Sequence, residues 1–418
     1  MRSRIAASLL LFVPCLATHA QDTLHVSVHA ADSLLITRNL DLIAQHYEID
    51  KAEAMKAQAK LFNNPDIATE WSVRPANGSF FDIGPNGQKA VTFTELFRIA
   101  GQRGLGIRVA DAQKKLSEAQ YAELSAALRY QLHADLYRQY FVRRALTEIS
   151  SQLELLRGVV VAYAVQAEKG NVSLKESTRL HASYFDLNDQ RVQLEKEENA
   201  LQQELRLLLA DDRPIACTPT AGEIAPMRML PADSLQLMNT ALTNRALVAQ
   251  AEAALEASET DLKLQRRSTV PDLALGGTYD QNSNYLPNYT GLNVGFSLPL
   301  FDRNQARVRL AKAQVAQAKA GLDATQRSVR QQVVRALDDL RLLQEQYNGT
   351  AAGFDDQLDQ LSESLVGNYL KSNISLLEFT DLFESYTSAI IRVNTLKAEL
   401  QTAYEELEFA TGQRLFAR

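Results

Sequence analysis

Proline is absent from Asn86 to Arg213 and again after Pro299, although the 418-residue chain carries eleven of them. A proline inside a helix costs about 3 kcal/mol, so two proline-free windows of more than a hundred residues predict long, uninterrupted helices. Within the second window, Phe379, Tyr386, Val393, Leu400 and Leu407 recur every seventh residue, as do Leu382, Ala389, Leu396, Ala403 and Ala410. That spacing is a coiled-coil seam. About 202 positions earlier, Leu180, Leu187, Leu194, Leu201 and Leu208 repeat it, with Tyr184 in the place of Tyr386. Arg309-Leu310-Ala311-Lys312-Ala313-Gln314 likewise matches Arg108-Val109-Ala110-Asp111-Ala112-Gln113. The chain is one unit written twice.

The first repeat spans 21–210 and the second 232–418, joined by a proline-rich connector over 211–231. Each reads helix, strand, loop, strand, long helix, turn, helix. Gln21 to about Phe62 is expected to be helical, with Asp32 as a cap, until Asn63-Asn64-Pro65 stops it. Strands follow over about 66–74 and 90–99, then helices over about 102–169 and 173–210. In the second repeat a helix from about Asp233 to Ser268 precedes strands over about 270–280 and 290–300. Helices over about 303–371 and 375–411 complete it. The alternation of Ile67, Thr69, Trp71 and Val73, and of Leu292, Val294, Phe296 and Leu298, gives the strands one apolar and one polar face. On the long helices, Val308, Val315, Leu322, Val329, Ala336 and Leu343 form a clean row. Lys114 and Asp135 interrupt its first-repeat counterpart.

Arg2 and Arg4, the apolar run Ile5 to Ala17 and the small residues before Gln21 describe a secretory signal over 1–20, cut after Ala20. Lipid attachment at Cys15 is disfavoured, because Phe12-Val13-Pro14 lacks small residues. Cleavage then leaves Cys217 alone, so no internal disulfide is expected. Net charge is −6 with the two signs interspersed, and no basic run exists to grip phosphates, which excludes nucleic acid as a partner. His25 and His29 have helical ligand spacing without a third ligand, so no metal site is expected. Nor is any cofactor, and no nucleophile or phosphate-loop motif appears. The chain does not read as an enzyme.

Four short strands cannot close a barrel, and open edges cannot face lipid. Strands of nine to eleven residues with one apolar face nevertheless suit an outer-membrane barrel. The export signal, the tandem copies, the paired strands ahead of long helices and the turns Gly170-Asn171-Val172-Ser173-Leu174 and Ser372-Asn373-Ile374-Ser375-Leu376 together resemble the TolC family of outer-membrane efflux proteins. Asn64-Pro65-Asp66-Ile67-Ala68-Thr69-Glu70 is similar to the family's heavy-metal branch, served by proton-driven pumps of the resistance–nodulation–division (RND) type. The resemblance implies a mainly α fold with a membrane β-barrel, built as a homotrimer. Twelve strands would form one barrel in outer-membrane lipid, and α-helical coiled coils would continue it as a tunnel through the periplasm.

The same resemblance implies a passive exit duct in a tripartite system with a periplasmic adaptor (membrane fusion protein) and an inner-membrane pump. It places adaptor contacts at the tip turns, Gly170, Asn171 and Val172 and Ser372, Asn373 and Ile374, where Ser372 replaces the usual glycine. It places the periplasmic gate at Glu378 and Asp381, neighbours on one helix face. Glu176 and Arg179 are their first-repeat counterparts, and Arg179 could hold an acid of the neighbouring hairpin. Crowded carboxylates favour cations over anions. The alternative from pattern alone is a periplasmic coiled-coil adaptor or scaffold without a pore.

Overall fold

The computed structural model describes residues 22–73, 80, 84, 87–224, 233–283, 286–351, 365, 367–369, 371 and 373–416. The expected signal segment and Ser372 lie outside the described residues. The chain opens with β1 (Leu24–Val26), α1 (Val28–Arg38) and α2 (Leu40–Ala59), followed by β2 (Asp66–Trp71) and β3 (Lys89–Phe97). Next come α3 (Gln102–Glu168), α4 (Leu174–Leu209), β4 (Ile215–Cys217) and the helical turn α5 (Ala221–Ile224). Beyond the connector lie α6 (Ser234–Asn244), α7 (Ala246–Arg267), β5 (Leu273–Asn282), β6 (Pro287–Phe296) and α8 (Gln305–Gln346). A π-helical turn, Tyr347–Ala351, follows α8, and α9 (Leu376–Thr411) closes the chain. Of the helix expected over 303–371, the part at 352–364, 366 and 370 lies outside the described residues.

The single helices expected ahead of each strand pair are each broken in two. Asn39 and Arg245 adopt extended ψ of 123° and 121° at the breaks. No proline or glycine marks either kink, and the reason is tertiary. Asn39 is buried; its Oδ1 accepts from the Leu42 amide at 3.0 Å, while its Nδ2 donates to the Leu208 carbonyl at 2.9 Å. Arg245, also buried, lays its guanidinium 3.6 Å from the Phe409 ring centroid and 3.3 Å from Glu123. The cap expected at Asp32 is instead Ser27, whose hydroxyl accepts from the Ala30 amide. The connector is not mere turn: β4 pairs in parallel with β1, Leu24 opposite Ile215.

The main sheet runs β2-β3-β5-β6, every neighbour antiparallel. Its register aligns Ile67, Phe93, Gly277 and Leu292 in one row. With Trp71, Val91, Phe97, Leu275, Tyr279, Val294 and Phe296, this face is apolar, and those side chains are exposed. Lys89 and Glu95 interrupt it. The opposite face carries Asp66, Ala68, Glu70, Ala90, Thr92, Thr94, Gly276, Thr278, Asp280, Asn293 and Gly295. There Asn293 donates to Thr278 at 2.6 Å, and the Thr278 and Thr92 hydroxyls are 3.1 Å apart. Among the described residues no helix is long and apolar enough to cross a membrane.

α3 has 67 residues and at 1.5 Å each reaches on the order of 100 Å. Two separate apolar clusters lie along it, and a third joins α6, α7, α8 and α9. The Leu180-to-Leu208 row is buried throughout, as is the row from Phe379 to Leu407. The companion row is buried only from Leu396 onward, since Leu382 remains 40% exposed. At the C-terminal end of α9, Gly412 has a φ of 66°, and a Cβ there would stand 2.8 Å from the Asn244 carbonyl oxygen. Gly412→Ala is therefore expected to destabilise the α6–α7 kink by about 1–3 kcal/mol, read as a lower thermal midpoint in detergent.

Candidate functional site at the helical tip

The two turns expected at the tip have a common construction. α3 ends in the left-handed Gly170, φ 74°, a conformation that costs a side-chain-bearing residue energy. The Asn171 amide donates back to the Gln166 carbonyl at 2.9 Å, and its side chain to Gln166 Oε1 at 2.7 Å. In the second turn the Asn373 amide donates to the Asn368 carbonyl at 2.9 Å, and its side chain to Asn368 Oδ1 at 3.1 Å. The same closure thus forms where the second copy lacks the glycine. Asn171 and Asn373 are exposed, while Val172 and Ile374 are half-buried, Ile374 against the apolar cluster beneath.

Each turn then restarts a helix through a reciprocal cap. The Ser173 amide donates to Glu176 Oε2 at 3.0 Å, and the Glu176 amide to Ser173 Oγ at 3.3 Å. The Ser375 amide donates to Glu378 Oε2 at 2.8 Å, and the Glu378 amide to Ser375 Oγ at 3.3 Å. These bonds from Ser375 hold the Glu378 carboxyl below its ordinary range. Glu176 and Glu378 therefore have a job inside their own helices. Asp381, by contrast, is exposed and has no partner among the described residues, and Arg179 is placed likewise. Asp381 lines a groove of about 640 Å³ with Glu384, Ser385, Ser388, Arg392 and Thr350. Glu384 also accepts from Ser183 at 3.0 Å, tying α9 to α4.

Beneath the turns, aromatic rings join the two hairpins. Tyr163 and Tyr369 have centroids 6.1 Å apart, Tyr369 and Phe379 4.4 Å, and Phe379 and Phe383 5.6 Å. Burial, helped by Tyr163, pushes the Tyr369 phenol above its ordinary range. This ladder escaped the sequence reading, which registered Phe379 and Tyr386 only as seam positions.

Further along the helices, Asp135, an interruption of the sequence row, lies in a groove of about 730 Å³ with Arg138, Glu197, Arg335, Asp339 and Glu406. Burial, reinforced by Glu204, raises its carboxyl to about 7. Its Oδ2 is buried without a hydrogen-bond partner. Lys114, the other interruption, pairs with Glu53 at 3.1 Å.

Residues 237–413 match the family model described as outer membrane efflux protein. The cobalt-zinc-cadmium resistance protein CzcC of Cupriavidus metallidurans is 22% identical over 70% of this chain and 68% of that protein. The nickel-cobalt-cadmium resistance protein NccC of Alcaligenes xylosoxydans xylosoxydans is 25% identical over 71% and 68%. Among solved structures, CusC superposes with a TM-score of 0.74 at 16% identity, covering 94% of both chains. The CmeC outer membrane channel of Campylobacter jejuni gives 0.74 at 15% identity over 93% and 86%. The fold is that of these channels, and the likeness to outer-membrane efflux proteins read from the sequence holds.

Ser375→Ala removes the Oγ that caps the Glu378 amide, while the backbone amide at 375 still holds the Glu378 carboxylate, so the start of α9 loses about 1 kcal/mol, seen as faster amide exchange in its first turn than in the wild type. For Asp135 the folded carboxyl binds its proton more tightly than the unfolded one, so its stability contribution falls as pH rises from the ordinary carboxylate range through about 7. Asp135→Asn is expected to raise the thermal midpoint most above that pH. The gain shrinks as pH falls toward about 4.

Proposed function

We propose that this chain, with the fold of the outer-membrane efflux channels, is the outer-membrane exit duct of a tripartite efflux system. The carrying observation is the four-stranded sheet, whose apolar face is exposed and whose edges β2 and β6 find no partner among the described residues. Three copies would supply twelve strands, close both edges and turn the apolar face to lipid, with the threonine and glycine face toward a water-filled lumen. The long helices then extend the lumen through the periplasm.

At the tip, Gly170, Asn171 and Val172, with Ser372, Asn373 and Ile374, serve as the adaptor contacts in this reading. Their exposed asparagine turns, held by backbone bonds, offer a preformed surface. An inner-membrane pump of the RND type supplies the energy. The curated relatives are named for resistance to cobalt, zinc, cadmium and nickel, and a divalent-cation cargo fits the duct's charges. The lumenal sheet face carries Asp66, Glu70 and Asp280 and no lysine or arginine within the strands. Glu70, Ala90 and Asp280 share one row.

The gate role falls chiefly on Asp381. Glu378 and its counterpart Glu176 cap their own helices, whereas Asp381 and Arg179 are free to meet a neighbouring protomer's hairpin. In planar bilayers Asp381→Ala is expected to lower the cation-to-anion permeability ratio roughly twofold or more, and Glu378→Ala to add little. Unchanged selectivity in both variants removes the gate assignment. Fractionation with outer membranes and a trimer mass in detergent test the duct itself; a water-soluble monomer after export defeats it. Increased sensitivity to cobalt, zinc or cadmium on deleting the gene tests the cargo.

A further inference from the structure

Where the strands hand over to the helices, the chain collects bases that no carboxylate answers. Lys60 ends α2, Arg98 follows β3 and Arg103 lies in the first turn of α3; Arg266 and Arg267 end α7, and Arg303 precedes α8. All but Arg103 are exposed, and none of them forms an ion pair with a carboxylate among the described residues. Bases a few turns further along the same helices are paired, Lys114 with Glu53 at 3.1 Å and Lys115 with Glu256 at 3.0 Å. The surplus of positive charge is therefore confined to the junctions.

Contacts hold these bases at one level of the molecule. The Arg103 guanidinium stands 3.9 Å from the Phe62 ring centroid and donates to the Lys60 carbonyl. Beside it is a cavity of about 100 Å³ lined by Phe62, Phe97 and Arg98. Arg98 also lines a cavity of about 460 Å³ with Val270, Leu298, Asp272 and Asp302. Those two acids are already engaged, Asp272 accepting from Gln102 at 3.3 Å and Asp302 from the Asn304 amide at 2.9 Å. The Asn304 side chain in turn donates to the Gln265 carbonyl at 2.8 Å, next to Arg266, and Arg303 donates to the Leu300 carbonyl at 3.2 Å. Interleaved with the bases are bare apolar side chains: Phe62 is 70% and Phe301 93% exposed, and Ile99, Leu298 and Leu300 are exposed with them.

Water is a poor surrounding for those apolar side chains, and hydrocarbon is a poor one for unpaired bases. The boundary between acyl chains and headgroups suits both, because apolar groups sink into the chains while a planar guanidinium meets phosphate. We propose that this collar binds anionic phospholipid, its acyl chains against Phe62, Phe301 and the apolar sheet face and its phosphate against Arg98, Arg103 and the neighbouring bases. The proposal rests on the duct reading, which sets the strand-to-helix junctions at the periplasmic leaflet of the outer membrane, the leaflet made of phospholipid. Stacking on Phe62 holds the Arg103 guanidinium in place before lipid arrives, which lowers the ordering cost of binding. An anionic headgroup is favoured over a zwitterionic one because the surplus charge is positive and Asp272 and Asp302 are occupied.

The test uses the full-length protein in detergent micelles doped with equal amounts of dioleoyl phosphatidylglycerol and dioleoyl phosphatidylcholine. Lipid that stays with the protein through gel filtration is extracted and quantified. Phosphatidylglycerol is expected in excess, and Arg98→Gln with Arg103→Gln to cut that excess about fivefold for each base removed. Arg341→Gln, which removes a base paired with Asp338 far along α8, should leave it unchanged. Equal retention of the two lipids by the wild type overturns the proposal, as does an undiminished excess in the double variant. Displacement of the lipid by millimolar glycerol phosphate marks a site for free phosphate and is equally fatal. Where the double variant does not assemble, Arg266→Gln with Arg267→Gln takes its place under the same outcomes. A water-soluble monomer defeats the duct reading and this proposal with it, whereas a trimer indifferent to headgroup defeats this proposal alone.

Discussion

A backbone N–H or C=O facing hydrocarbon without a partner costs several kcal/mol, and that constraint sets the rest of this molecule. The sheet β2-β3-β5-β6 has two bare edges and an apolar face that includes the exposed Leu292 and Ile67. Nothing else among the described residues covers them. In water the face would drive aggregation; in lipid the edges would be intolerable. Both problems vanish together only if strands from further copies complete a ring. The proposed duct thus follows from a deficit in the single chain, and each repeat's hairpin is a portion of wall. The helices continue from the strands, with α7 packed against both α3 and α8.

Much of this was legible in the sequence because it is periodic. The seven-residue rows foretold the buried faces of α4 and α9, and the absence of proline foretold a helix as long as α3. What escaped was aperiodic. The kinks at Asn39 and Arg245 follow no local breaker; one is held by the Leu208 carbonyl and the other by Phe409 and Glu123, contacts that exist only once the chain is folded. The parallel pairing of β1 with β4 involves strands of three residues each, too short for alternation to register. Asp135 was visible as a flaw in a row, yet only the fold shows that the flaw lies in a groove.

The tip illustrates how one residue can answer two patterns. Ser375 and Glu378, like Ser173 and Glu176, have the spacing of a reciprocal helix cap, and they also occupy the place where the family resemblance puts an acidic gate. The geometry satisfies the first pattern, because the Glu378 carboxylate is engaged by Ser375. Asp381, one turn further on, has no such engagement among the described residues. A carboxylate already accepting hydrogen bonds has lost part of its capacity to bind a passing cation or a neighbouring cation-bearing side chain. An unengaged one keeps it.

The same distinction between engaged and free carboxylates separates acidic groups elsewhere in the chain. Asp32, Glu223, Glu405 and Glu408 contact His133, His29 and the C-terminal amides, so their charges hold helices together. On the polar face of the sheet, Asp66 and Glu70 are exposed, and their strands bring no base to neutralise them. Asp381 repeats that state at the opposite end. In the proposed duct, Asp66, Glu70 and Asp381 would offer a passing cation unengaged charge, which Asp32, Glu223, Glu405 and Glu408 would not. Conduction through a passive tube requires weak binding along the way, since a strong site would retain the cargo it was meant to pass.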